Sequence, residues 1–191
     1  MHEMYYATRN SDKFETVFRY LERNAPHIIL KPCTQDFPEI QSYDQKAVAI
    51  DKARQAWNFL KKPVLVDDAG IFFEKYRDFP GVLTKFVYRG IGLDGLRTLV
   101  APGDKAVFRL HMVYWYGPEQ YEVFVGECHG RIVHQTQYTS SEHSPYDQLF
   151  APEQEPDVSF AQLNATGQYE KYHYRVDALQ HFLRWLTVHQ K

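Results

Sequence analysis

Hydrophobic and polar positions along the chain recur in two periods, and the switches between them mark the elements. The run at 4–7 predicts a short first strand. Phe14, Val17, Phe18 and Leu21 then recur at the spacing of a helix with one buried face, starting near Asp12. Residues 28–31 predict a second strand, followed by a polar loop over 32–43. A longer helix is predicted over 44–60, with Ala47, Ile50, Ala53, Trp57 and Leu60 on its apolar stripe and Lys61-Lys62-Pro63 as its stop. The apolar run at 63–66 then predicts a buried strand that delivers Asp67 and Asp68 to a tight turn through Ala69-Gly70, before apolar residues resume at Ile71. Strand, helix, strand, helix, strand is the order of an α/β sheet with crossover helices.

The second half has a different rhythm. Phe79-Pro80-Gly81 predicts a turn, and 93–99 a helix stopped by Ala101-Pro102-Gly103. Residues 106–116 and 121–129 predict two long strands joined through Gly117-Pro118-Glu119-Gln120, with Phe108, Leu110, Met112, Tyr114 and Tyr116 on one face. A largely polar loop is predicted over 139–156. Val176, Leu179, Phe182, Leu183 and Leu186 mark a closing amphipathic helix. No repeat, linker or low-complexity tract interrupts the chain. The expectation is one domain over 1–191, α/β in class, with two lobes and a cleft between them.

Composition narrows the function classes. With 191 residues the chain can bury a sizeable core, and 44% hydrophobic against 24% charged residues is an ordinary globular balance. A net charge of −2 offers no basic footprint for long nucleic acid. Cys33 and Cys128 lie far apart and fit reduced thiols rather than a disulfide or zinc framework. The first residues carry no basic-then-apolar leader, and no apolar run approaches membrane-spanning length. A soluble cytoplasmic protein with no membrane partner is the expectation.

Two segments carry candidate chemistry. Adjacent carboxylates at the rim of a core repel each other and lose hydration, so Asp67 and Asp68 are tolerated most easily beside a cation. The carboxyl end of a strand is also where open α/β sheets place ligands. The plain alternative is an Asp-Gly turn between two strands. Thr8-x-Asn10-x-x-Lys13 sits where the first helix begins. Free N–H groups, two side-chain donors and a mobile positive charge there suit a phosphate. The alternative is a simple helix cap by Asn10 or Ser11. Taken alone, Lys52 and Lys85 are ordinary surface lysines.

Together these pieces resemble one family. Thr8-x-Asn10-x-x-Lys13, Glu39-Ile40-Gln41, Lys52-Ala53, Asp67-Asp68-Ala69-Gly70 and Pro80-Gly81-Val82 are similar in order and spacing to the inosine triphosphate pyrophosphatases, which remove deaminated purine nucleoside triphosphates. Lys85-Phe86-Val87-Tyr88 and Gly92-Leu93-Asp94-Gly95-Leu96 look like the archaeal and eukaryotic branch. Phe124-x-Gly126-x-x-x-Gly130-Arg131-Ile132, Tyr146-Asp147-x-x-Phe150, Ser159-Phe160-Ala161 and Arg175-x-x-Ala178-Leu179 continue the likeness. The resemblance implies a long mixed central β-sheet flanked by helices, an active-site cleft between lobes, and a homodimer. It also implies magnesium-dependent hydrolysis of a nucleoside triphosphate to the monophosphate and pyrophosphate. By position, Glu39 and Asp68 would hold magnesium, Asp68 would orient or deprotonate the attacking water, and Asp67 would support them. Thr8, Asn10, Lys13, Lys52 and Lys85 would hold the triphosphate, and Tyr146, Asp147 and Arg175 would contact the rest of the substrate.

The base-binding half departs from the family pattern. Ser144-Pro145-Tyr146-Asp147 stands where the family shows Phe-Gly-Tyr/Trp-Asp, and His173-Tyr174-Arg175 replaces a Ser-His-Arg triplet, so only Arg175 survives. The family lysine upstream of that triplet falls at Gln168 or Tyr169, with Lys171 nearby, and Gln162 replaces a glutamate. His143 and His173 are newcomers, expected to be partly exposed loop histidines. Tyr146 and Tyr174 remain as candidates to stack on a base. A stacked aromatic contributes about 1–3 kcal/mol per base, and a lost base-edge hydrogen bond costs a similar amount in discrimination. The expectation is an intact phosphate chemistry with an altered base preference. The alternative is a catalytically weak descendant that binds a nucleotide or a partner protein.

Overall fold

The computed structural model describes residues 2–134, 137–138 and 145–189. Strand β1 (His2–Ala7) pairs in parallel with β2 (Ile28–Cys33), in register from His2 opposite Ile28 to Ala7 opposite Cys33. The crossover between them is α1 (Ser11–Asn24), whose inner face buries Val17 and Leu21. A second crossover, α2 (Gln45–Leu60), starts at Asp44, whose carboxylate accepts from the amides of Lys46 and Ala47. It ends where Lys61 turns left-handed at φ 53°. That returns the chain to β3 (Val64–Phe73) on the other side of β1, again parallel.

The remaining strands are β4 (Phe79–Pro80), which pairs antiparallel with β3, β5 (Lys105–Gly117), β6 (Gln120–Ile132) and β7 (Phe150–Pro152). The order across the seven-stranded sheet is β2-β1-β3-β5-β6-β7, with β4 off that path and β7 antiparallel to β6. Parallel pairs on one flank and antiparallel pairs on the other make the sheet mixed. The remaining helices are α3 (Thr84–Leu99), α4 (Phe160–Ala165) and α5 (Tyr174–His189). The mixed α/β class expected from the sequence is the one observed.

The chain divides into two compact units. One gathers Met1–Asp68, Leu110–Gly126 and Arg175–Lys191, and the other Ala69–Arg109 and Glu127–Tyr174. In the first, Ala49, Ala53 and Ala56 of α2 bury against Ala7, Val64, Val66, Val113 and Trp115. Alanines at the contact let the helix lie close to the strands, and the larger Ile50, Trp57 and Leu60 seal its edges. In the second, the core is aromatic: Phe108 stacks on Phe160 and Tyr174 and meets Phe150 edge-on at 4.9 Å.

The structure revises the sequence reading at four places. There is no turn at Asp67-Asp68-Ala69-Gly70, because β3 runs without a break from Val64 to Phe73. The polar stretch over 139–156 contains a 3-10 turn at Pro145–Gln148 and the strand β7. Helix α3 begins at Thr84 and is interrupted at Gly92, whose φ of 64° is open to glycine but disfavoured for other residues. The most buried line of α2 runs through Gln45, Val48, Ala49, Ala53 and Ala56, because large apolar side chains sit at the rim of that contact.

Candidate functional site

Asp67 and Asp68 lie in mid-strand, and successive strand residues point to opposite faces, so chain neighbours acquire different surroundings. Asp67 is buried and saturated with donors. Its Oδ1 accepts from Lys13 Nζ at 2.7 Å, and its Oδ2 accepts from Arg175 Nε at 2.7 Å and from the Tyr6 hydroxyl at 2.8 Å. Burial by itself would raise the Asp67 pKa, but the adjacent Lys13 and Arg175 charges and their hydrogen bonds overturn this and hold it far below the usual carboxylate range. Tyr6 moves the other way. Burial, reinforced by the Asp67 charge, pushes its hydroxyl well above the ordinary tyrosine value.

Asp68 has the opposite setting. Its Oδ2 is buried and has no hydrogen-bond partner among the described residues. Burial, with the Glu39 and Asp67 charges adding to it and Lys13 and Lys52 opposing, pushes the carboxyl up to about 6. Glu39, on the loop before α2, accepts from Lys52 Nζ at 3.0 Å. Five of the expected residues, Lys13, Glu39, Lys52, Asp67 and Asp68, are thus coupled within the first unit.

Thr8 and Asn10 shape the approach to Lys13. Asn10 caps α1: its side-chain oxygen accepts from the Lys13 amide at 3.0 Å, while its own amide donates to Thr8 Oγ1 at 3.1 Å. The capping role weighed for this segment is therefore present, and it fixes where α1 launches the Lys13 side chain.

The second unit holds the other expected residues. Lys85 is exposed in the first turn of α3. Tyr146 is buried, its hydroxyl donates to the Thr84 carbonyl at 2.8 Å, and burial with nearby Tyr88 raises its pKa. Asp147 is buried and accepts from the Tyr169 hydroxyl at 2.9 Å. His173, expected to be partly exposed, is only 3% exposed. It stacks 4.3 Å from Tyr174 and meets the edge of Tyr169 at 4.4 Å, because the aromatic core of this unit extends through it. Tyr174 in turn stacks on Phe108 at 4.9 Å. Lys171 lies over the Tyr172 ring. His143 and Ser144 fall outside the described residues.

The sequence reading missed Tyr6. A tyrosine at an inward position of a central strand needs a partner for its hydroxyl, and that requirement was the available signal. Among the described residues no group of three or more His, Cys, Asp or Glu side chains is arranged to hold a metal ion. Asp68 with its orphaned oxygen, beside Glu39, is instead a two-carboxylate set. It fits a hard divalent cation that fills its remaining positions with water and substrate oxygens.

Among known proteins, the dITP/XTP pyrophosphatase of Methanopyrus kandleri is 32% identical over 182 residues, covering 94% of each chain. That of Thermococcus kodakarensis is 30% identical over 188 residues, covering 97% of this chain and 98% of its own. A HAM1 protein structure from Coxiella burnetii shares the fold, with a TM-score of 0.77 over 98% of this chain and 99% of its own, at 22% identity. The Ham1 family model matches residues 4–185. The chain belongs to the Ham1 family, as its motifs led us to expect.

Proposed function

We propose that this protein is a magnesium-dependent nucleoside-triphosphate pyrophosphatase that converts a triphosphate of the ITP, XTP or dITP kind to the monophosphate and pyrophosphate. The observation that carries the reading is Asp68: a buried, unpartnered carboxylate oxygen beside Glu39, with Lys13 and Lys52 close enough to act on its charge. The names of the archaeal relatives support the reaction class.

In this reading Asp68 orients the attacking water and takes its proton as the bond to the pyrophosphate leaving group breaks. Without metal, burial pushes its carboxyl up to about 6, and a cation bound beside it would favour the ionised form that accepts the proton. Thr8, Asn10 and the start of α1 offer donors to phosphate oxygens, and Lys13 and Lys52 supply positive charge. By resemblance alone, Lys85, exposed in the second unit, is a further candidate for the triphosphate. A magnesium ion held by Asp68 and Glu39 would neutralise charge on the phosphate oxygens. Asp67 keeps Lys13 in place. By family resemblance we take the enzyme to be a cytoplasmic homodimer.

The finer part of the proposal is an altered base preference. In the second unit, Tyr146 is tied to the Thr84 carbonyl and Asp147 to Tyr169, where the resemblance expects base-contacting groups. Pyrophosphate release from ITP, XTP, their deoxy forms and the four ordinary NTPs, each with Mg²⁺ or Mn²⁺, tests both parts. Turnover of none of them rejects the enzyme; preference for dITP and XTP, the substrates in the relatives' names, keeps the enzyme and rejects only the altered base. The Asp147–Tyr169 pairing also favours a second reading, a weak enzyme that binds nucleotide. Calorimetry showing tight binding without turnover would select it.

A further inference from the structure

Arg175 is one of the residues that the family resemblance assigns to the substrate, and it is also bound into the cluster around Asp67. Its Nε donates to Asp67 Oδ2 at 2.7 Å, with side chains only 5% and 2% exposed, and the same guanidinium hydrogen-bonds Tyr6. Tyr6 donates to that same oxygen, which leaves Oδ1 of Asp67 to Lys13. Four elements of one unit meet in this cluster: β1 through Tyr6, α1 through Lys13, β3 through Asp67 and α5 through Arg175.

The geometry assigns Arg175 as a positioning residue for the phosphate end of the site, acting through Asp67 on Lys13. The inference rests on the pyrophosphatase reading given above. The physical argument concerns rotation. A carboxylate bound on one oxygen only can turn about its Cβ–Cγ bond, and its partner lysine, with four rotatable bonds, can follow it. Two buried donors on Oδ2, one of them a planar guanidinium that stays charged, fix the carboxylate plane and hence the direction in which Oδ1 presents itself. Lys13 Nζ is thereby held at one place, close enough to Asp68 for its charge to act on that group. A lysine ordered before substrate arrives does not lose that freedom on binding, which strengthens its hold on a phosphate oxygen. Arginine suits the part better than lysine, because its rigid planar fork presents donors to Asp67 and Tyr6 in fixed directions.

The test separates the phosphate end from the base end with a probe that has no base. Binding of inorganic tripolyphosphate with Mg²⁺ is measured by calorimetry for the wild type, Arg175→Gln, Arg175→Lys and Tyr6→Phe, alongside kcat and KM for ITP, XTP and the best ordinary NTP. Arg175→Gln is expected to weaken tripolyphosphate binding and to lower kcat/KM by about 10–100-fold on every nucleotide. Tyr6→Phe, which removes one oxygen and keeps the ring, gives the same signature more weakly, and Arg175→Lys recovers part of the loss. The double variant Tyr6→Phe/Arg175→Gln loses less than the product of the single losses, since both act through one oxygen. Where thermal melts show Arg175→Gln to be unfolded, Tyr6→Phe and Arg175→Lys carry the comparison. Unchanged tripolyphosphate binding in Arg175→Gln overturns the assignment, as does a wild type that fails to bind tripolyphosphate. A wild type that binds tripolyphosphate but turns over no nucleotide rejects the pyrophosphatase reading alone, and the binding comparison still decides the role of Arg175.

Discussion

Asp67 and Asp68 share a peptide bond and almost nothing else. Asp67 has three donors and its ionisation helps hold the fold. Asp68 has an orphaned oxygen, and its ionisation works against the fold. Replacing each by asparagine therefore has opposite consequences. Asp67→Asn leaves Lys13 and Arg175 without their counter-ion and should cost about 3–5 kcal/mol in denaturant unfolding. Asp68→Asn should lower kcat by about 10²–10⁴-fold with no loss of stability. In metal-free protein the signs also differ with pH. Asp68 has a folded value of about 6 against an ordinary 3.8, so its penalty is full above pH 6 and is relieved as pH falls towards 4. Unfolding free energies of chelator-treated protein between pH 7 and pH 4 should show that relief, up to about 3 kcal/mol, and Asp68→Asn should lack it. Asp67, depressed below 3.8, contributes stability that persists above that value and is lost only in stronger acid. The two carboxylates were legible as a pair in the sequence. Their inequality was not, because it comes from Tyr6, Lys13 and Arg175, of which Arg175 lies 108 residues away from Asp67.

The strand that carries them shows why the turn reading failed. Asp-Ala-Gly looks like a turn because glycine most often serves a left-handed backbone, but Gly70 serves close approach. A Cβ there would run into the Gly81 carbonyl oxygen. Thr84 completes the clasp: its hydroxyl donates to the Gly81 carbonyl at 2.6 Å and accepts from the Ile71 amide at 3.0 Å. The β3–β4 pairing and the start of α3 thus depend on a missing side chain and one hydroxyl, within one unit. Gly70→Ala must push backbone apart and should destabilise by about 1–3 kcal/mol or more. Thr84→Val, matched in shape, leaves the Ile71 amide unsatisfied and should cost about 1–3 kcal/mol. Equilibrium unfolding of both variants checks this, and a neutral Gly70→Ala would remove the close-approach argument. Strands and helices with strong periodicity, such as β5, β6, α1 and α5, were legible in advance. The three-residue β7 and the first half of α3 were not, since short or glycine-broken segments have too few positions to show a period.

The whole chain carries a net charge of −2, so no general basic field draws in a triphosphate, and its charge must be met locally. The local lysines are already engaged, Lys13 with Asp67 and Lys52 with Glu39. An entering triphosphate that takes Lys52 leaves Glu39 without its lysine partner beside Asp68, which is the setting a divalent ion would relieve. Metal and triphosphate should therefore promote each other's binding, reciprocally and by the same factor. Metal alone should also act, because Asp68 Oδ2 is buried with no hydrogen-bond partner among the described residues. At pH 7 and a free Mg²⁺ concentration about ten times its dissociation constant, ligand linkage contributes about 1.4 kcal/mol. In a chain of this size that raises Tm by about 3–6 °C. At pH 5 most Asp68 is protonated, protons compete with the ion, and the rise should shrink. Asp68→Asn should abolish the rise at both pH values, and tripolyphosphate added with Mg²⁺ should raise the wild-type Tm by more than the two separate shifts combined. Thermal melts across this grid decide the matter: an equal Mg²⁺ shift in Asp68→Asn would place the ion elsewhere, and strictly additive shifts would break the proposed exchange of partners between Lys52, Glu39 and the phosphate.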